Sequence, residues 1–218
     1  VMFKVYALGI ALAWCGAARA DVIFMNDIVG ISPADQNSFT SGQVVHTGLV
    51  VSGIGRGPGL SPTGNPQNSY AVTGWSRDIS PDDYFAFTIA PNDGCKVDYS
   101  SFSFTGDRFR FGPDAVTFRS SLDSFGADIG TAPWQGGVIH LDLPEFQDVV
   151  APIEFRFYAH GGAQTTGGYA LMDFAFSGTV SEISAVPEPS SMLLTFIPLA
   201  AGFRCMCRRR RAAHRTGA

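Results

Sequence analysis

The amino-acid sequence predicts an all-β fold, a two-sheet antiparallel β-sandwich that is jelly-roll-like in plan. Three observations lead there. Apolar residues recur at every second position in run after run, the period of a half-buried strand. Clusters of Gly, Pro, Asn and Asp separate those runs and read as turns. The composition supplies both parts: 18 Phe to fill a core, and 25 Gly with 13 Pro to build connections.

Taken in order, residues 1–20 are expected to be a secretory signal peptide. Lys4 precedes a short apolar run, and Ala18-Arg19-Ala20 supplies small residues around a cleavage site before Asp21. The run is too short to span a bilayer. Residues 21–183 are expected to be the sandwich domain. In "DDYFAFTIA", Phe85, Phe87 and Ile89 share one face. "RFRF" places Phe109 and Phe111 opposite Arg108 and Arg110. "GVIHLDL" places Ile139, Leu141 and Leu143 together. "PIEFRFYA" does the same for Ile153, Phe155 and Phe157. In "YALMDFAFSG" the expected inward set is Met172, Phe174 and Phe176. One polar face per run is the mark of antiparallel sheets packed on one side. Residues 52–69, rich in Gly and Pro, read as a flexible loop, and "SSLDSFGADIG" as a single helical turn. Eight to ten strands in one domain point to two packed layers.

Charge is distributed unevenly. Residues 21–186 hold 7 Lys+Arg against 18 Asp+Glu, a net of -11, while residues 187–218 carry 6 Arg and one Glu. So acidic a body repels phosphate backbones, which excludes nucleic acid as a partner. Cys95 is the one cysteine between residues 21 and 183, so no disulfide forms within the domain.

Residues 184–218 are expected to be a sorting signal. Val186, Pro187, Glu188 and Pro189 precede a short apolar run interrupted by Pro198, and Arg208, Arg209, Arg210 and Arg211 follow. The run would make a short transmembrane segment with the arginines held on the cytoplasmic side. This three-part order resembles the PEP-CTERM sorting signal of exported proteins in Gram-negative bacteria that make extracellular polysaccharide. The stretch from Phe111 to Gly130, with "IEFRFYAHGGAQTTGGYALMDFAFSGTV", resembles a sandwich domain common among such proteins. The resemblance implies export, signal peptidase and exosortase as processing partners, a transient membrane-inserted precursor, and delivery to the cell surface or outer matrix.

Candidate chemistry is sparse. No G-x-S-x-G is present, and His46, His140 and His160 lie far apart. His46 and His140 fall on polar faces by alternation, and Cys95 has no C-x-x-C partner. The many aspartates sit in turns, where turn chemistry alone explains them. Asp173 resembles, by position, the acidic residue in the last strand of jelly-roll carbohydrate-binding modules, which helps hold a structural Ca²⁺; Phe174 stands where those modules have a second Asp. The resemblance implies a Ca²⁺ site at Asp173 with Asn26 or Asp27 from the first strand. Trp134, Tyr158 and Tyr169 are the candidate platforms for sugar rings, expected on outward faces or in a loop. The function expected is non-catalytic binding or adhesion within extracellular polysaccharide. The alternatives are a polysaccharide hydrolase or lyase using the same loops, and a purely structural matrix subunit.

Overall fold

A computed structural model describes residues 20–183 apart from 32, 34, 65 and 164–166. The expected signal peptide, Pro-Glu-Pro motif, apolar run and arginine tail lie outside the described residues. No helix among the described residues is long and apolar enough to cross a membrane.

The described residues form thirteen strands. The first seven are β1 (Asp21–Asp27), β2 (Val44–Val45), β3 (Leu49–Val51), β4 (Gly55–Arg56), β5 (Ser61–Pro62), β6 (Tyr70–Thr73) and β7 (Phe85–Pro91). The rest are β8 (Cys95–Phe109), β9 (Ala115–Ser120), β10 (Gly130–Pro133), β11 (Gly136–His140), β12 (Ile153–His160) and β13 (Gly168–Glu182). Single 3₁₀ turns stand at Ser121–Asp123 and Pro144–Phe146. One sheet has seven strands in the order β11-β8-β13-β1-β2, with β6 on the start of β13 and β5 on β6. The other has six, β10-β9-β12-β7-β3, with β4 also on β7. The strand pairs are antiparallel, as in β8 with β13 and β12 with β9. From β6 onward the chain changes sheet at almost every strand. That alternation is jelly-roll-like, and it sends the connections over the two ends of the sandwich.

Phenylalanine fills the space between the sheets. Phe85, Phe87, Phe102, Phe118, Phe155, Phe157, Phe174 and Phe176 are all buried. Phe102 of the seven-stranded sheet stacks on Phe118 of the six-stranded sheet at 4.4 Å between centroids, and Phe87 meets Phe174 at 4.7 Å. Offset and edge contacts of this kind add about 0.5–1.5 kcal/mol per pair beyond area burial.

Four local expectations change. Residues 52–69 are not simply a loop: β4 pairs with β7, β5 pairs with β6, and Ile54 and Leu60 are buried. The alternation in "RFRF" ends at Phe109, because Arg110 and Phe111 turn with φ of 52° and 62°. Leu143 is exposed, since β11 stops at His140. In β13 a register irregularity between Leu171 and Asp173 leaves Met172 40% exposed. The extra residue reverses the side-chain parity ahead of it, so Tyr169 and Leu171 face inward along with Phe174 and Phe176.

Candidate functional site

The site grows from the end of β8. Phe109 is the last residue of that strand, opposite Gly168 of β13. Arg110 and Phe111 then take left-handed conformations in succession, which side chains other than Gly rarely adopt without compensation elsewhere. The compensation is a close backbone contact. A Cβ on Gly162 or Gly167 would lie 2.9 or 2.6 Å from the Phe111 carbonyl oxygen, so only glycine at these two positions allows so close an approach. The chain re-enters β9 after the Asp114 amide donates to the His160 carbonyl at 2.9 Å.

The consequence is an aromatic ring turned outward. Phe111 is 64% exposed, against a background of buried phenylalanines. It lines a cleft of about 350 Å³ with Arg108, Arg110, Asp114 and Ala163. Arg108 forms an ion pair with Asp114, and its guanidinium lies 4.8 Å above the Trp134 ring. The Trp134 main-chain carbonyl accepts a 2.7 Å hydrogen bond from the Tyr169 hydroxyl. Gly106 makes room for that hydroxyl, since a Cβ there would fall 2.0 Å from it. Burial, with the Asp107 charge adding to it, pushes the Tyr169 phenol above its ordinary range, so it remains a donor. An open cleft with a flat apolar ring, planar guanidiniums and a carboxylate suits a hydroxylated ring ligand: C–H faces stack, hydroxyls bond.

The three expected platforms have different fates. Trp134, in the β10–β11 turn, is half-buried beside the cleft, under Arg108. Tyr169 is fully buried and supports the Trp134 turn from within, a correction that follows from the irregularity in β13. Tyr158 does lie on the outward side of β12 but is covered. Arg119 lies 5.5 Å over its ring and Tyr84 packs beside it at 5.9 Å. Nearby Arg156 is held between Tyr84 at 3.9 Å and Phe125 at 3.7 Å while pairing with Glu154. That outer face is therefore closed by its own side chains. Phe111 and its arginines were missed because strict alternation assigns Phe111 to the core. Its left-handed turn has no local residue signature beyond the following Gly112-Pro113.

The expected calcium set is divided. Asp27 lies opposite Asp173 in the β1–β13 register, so the two carboxylates share the outer side of the sheet. The Thr105 hydroxyl donates to Asp173. Asn26 lies opposite Phe174 and is 1% exposed, so its side chain points to the inner side and is excluded from the Asp173 position. Two carboxylates and a hydroxyl fit a weak, largely hydrated Ca²⁺ site at most. Among the described residues no group of three or more His, Cys, Asp or Glu is arranged to hold a metal ion.

Several other titratable side chains have identifiable partners. Asp123 accepts from the Ala127 amide at 2.7 Å, and Asp128 pairs with Arg119 at 2.7 Å. Asp98 accepts from the Asp148 amide at 2.6 Å, and Asp83 holds Ser76. His46 and His140 are exposed, and His46 Nδ1 accepts from the Gly48 amide at 3.1 Å. Half-buried Cys95 shares a separate opening with His46. His160 meets the Thr117 hydroxyl at 2.9 Å, and burial lowers its pKa.

No family model matches this chain, and no curated protein matches it. Among solved structures, a carbohydrate-binding module of the CBM36 type, in complex with calcium and xylotriose, is similar at 14% identity. The match covers 54% of this chain and 91% of that chain with a TM-score of 0.30, too slight a likeness to carry over a ligand or a site.

Proposed function

We propose that this chain is an exported, non-catalytic polysaccharide-binding protein, sorted by an exosortase to the surface or extracellular matrix of a Gram-negative bacterium. The observation that carries the binding half is the outward Phe111 ring beside Arg108 and Arg110, in a cleft at the end of the sandwich. A solvent-facing aromatic held in two consecutive left-handed residues is costly to the fold. Such cost is borne where the surface has work to do. The rigidity of the phenylalanine-filled core supports the same reading, because a preformed platform loses little entropy on binding. The sorting half rests on the three-part order of residues 186–211. A Ca²⁺ ion bridging Asp27 and Asp173 would be accessory, bound in the millimolar range typical of extracellular modules.

Affinity electrophoresis tests the binding half. The purified protein should be retarded in gels containing bacterial extracellular polysaccharide, with no new reducing ends released. Release of reducing ends would favour a hydrolase, and self-association without retardation a structural subunit. For the sorting half, fractionation of cells expressing an epitope-tagged chain should recover it from the surface or matrix. Substituting Pro187 and Glu188 should leave it in the membrane fraction.

A further inference from the structure

We infer that the cleft selects glycans bearing anionic sugar residues, an inference that rests on the polysaccharide-binding reading and specifies its ligand class. The basic side chains of the sandwich are few and mostly engaged. Lys96 pairs with Asp148, Arg108 with Asp114, Arg119 with Asp128 and Arg156 with Glu154. Arg56 bonds the Tyr70 hydroxyl at 3.0 Å. Arg110 makes no ion pair or side-chain hydrogen bond with any described residue, and it is exposed in the cleft beside Phe111. The cleft has one carboxylate in its lining, that of Asp114, already paired with Arg108. A ligand therefore meets one apolar ring and one unshared planar guanidinium on adjacent residues.

That pairing has a specific chemical complement. A sugar ring stacked on Phe111 presents its equatorial substituents at the ring's edge, where a neighbouring guanidinium can reach. A carboxylate or sulfate there accepts two parallel N–H bonds, each about twice as strong as a neutral hydrogen bond. A neutral hydroxymethyl group accepts one weak bond and leaves the guanidinium otherwise hydrated. The net charge of -11 on residues 21–186 opposes polyanions at long range. At physiological ionic strength that repulsion is screened beyond about 8 Å, whereas the contact in the cleft is not. Local complementarity thus decides the preference.

The test is affinity electrophoresis of the full chain at physiological salt, without calcium, in polygalacturonate and in the same polymer after carboxyl reduction. The acidic polymer should bind at least about tenfold more tightly, and Arg110→Gln should remove most of that difference. Lys96→Gln deletes the same charge at the other end of β8, roughly 40 Å away by strand rise, and should leave binding unchanged. A dextran sulfate arm identifies the anion: retardation there but not in polygalacturonate would assign it to sulfate esters and still support the inference. Equal affinity for the acidic and reduced polymers, with dextran sulfate no better, would overturn the inference and leave the polysaccharide reading standing. Binding neither to these three nor to bacterial extracellular polysaccharide would overturn both. Carboxyl reduction alters only the polymer, so that comparison holds even if the Arg110 variant folds poorly.

Discussion

The Tyr169 hydroxyl donates a 2.7 Å hydrogen bond to the main-chain carbonyl of Trp134. The contact ties the buried start of β13 to the turn that carries the indole beneath Arg108. Tyr169 thus acts on the cleft from the core without touching a ligand. Tyr169→Phe keeps the ring and removes this hydrogen bond, costing about 0.5–1.5 kcal/mol. For a chain of this size the melting temperature should fall by roughly 2–4 °C per kcal/mol. Calorimetry on the variant should show that fall together with weaker polysaccharide retardation. An unchanged melting temperature would mean that the bond contributes nothing.

The binding role proposed for Phe111 runs against its conformational cost. Asn tolerates the left-handed conformation better than Phe, and the ring is mostly exposed, so Phe111→Asn gives up little burial. The variant should be as stable as the parent or up to about 1 kcal/mol more stable in chemical denaturation. It should also lose most of its polysaccharide affinity. Retained affinity would remove Phe111 from the site.

These two residues also mark where reading from sequence runs out. Phe85, Phe87 and Ile89, or Phe155 and Phe157, were legible because regular strands keep period two. Tyr169 was not, because one extra residue near Met172 reverses parity, and nothing local signals it. Phe111 was not, because its left-handed turn at non-glycine residues goes with a tertiary contact, the close approach of Gly162 and Gly167 to its carbonyl. Tyr158 was placed on the right face, but its cover comes from Arg119 on a neighbouring strand, a tertiary contact with no local signature. Asp27 and Asp173 lie opposite each other on β1 and β13. Asn26 was excluded only when strand register fixed which way it points.

The aromatic core predicts a graded response. Phe102 contacts rings from both sheets, including Phe118 at 4.4 Å and Phe176 at 4.8 Å. Phe102→Ala should cost about 3–5 kcal/mol, measured as a shift of the denaturation midpoint. Phe102→Leu should cost clearly less. Equal effects of the two would argue against a tightly packed ring cluster.

Stability should fall at both extremes of pH. Burial holds the Tyr99 and Tyr169 phenols above their ordinary values. Unfolded tyrosine ionises near about pH 10, so their contribution is complete below that and is lost as pH rises toward the folded values. Burial lowers the His160 pKa. Its contribution is complete above the unfolded value of about 6.5 and is lost as pH falls through the folded value. Melting curves against pH should show both shoulders, with His160→Gln removing the acidic one. Ionisation of every tyrosine while the sheet signal stays intact would contradict this picture.

Asp27 and Asp173 face each other with like charge, which is destabilising by a fraction of about 1 kcal/mol. Millimolar Ca²⁺ should raise the melting temperature slightly, EDTA should reverse the rise, and Asp173→Asn should abolish it. A melting temperature indifferent to both would leave calcium without a role here.

On the proposed reading, a rigid sandwich presents the Phe111 cleft to polysaccharide and leaves the polymer intact. Affinity electrophoresis in bacterial extracellular polysaccharide, paired with a reducing-end assay on the same samples, tests it most directly. The expected result is retardation of the parent, loss of retardation in Phe111→Ala, and no new reducing ends. Retardation unaffected by Phe111→Ala, or cleavage of the polymer, would contradict it.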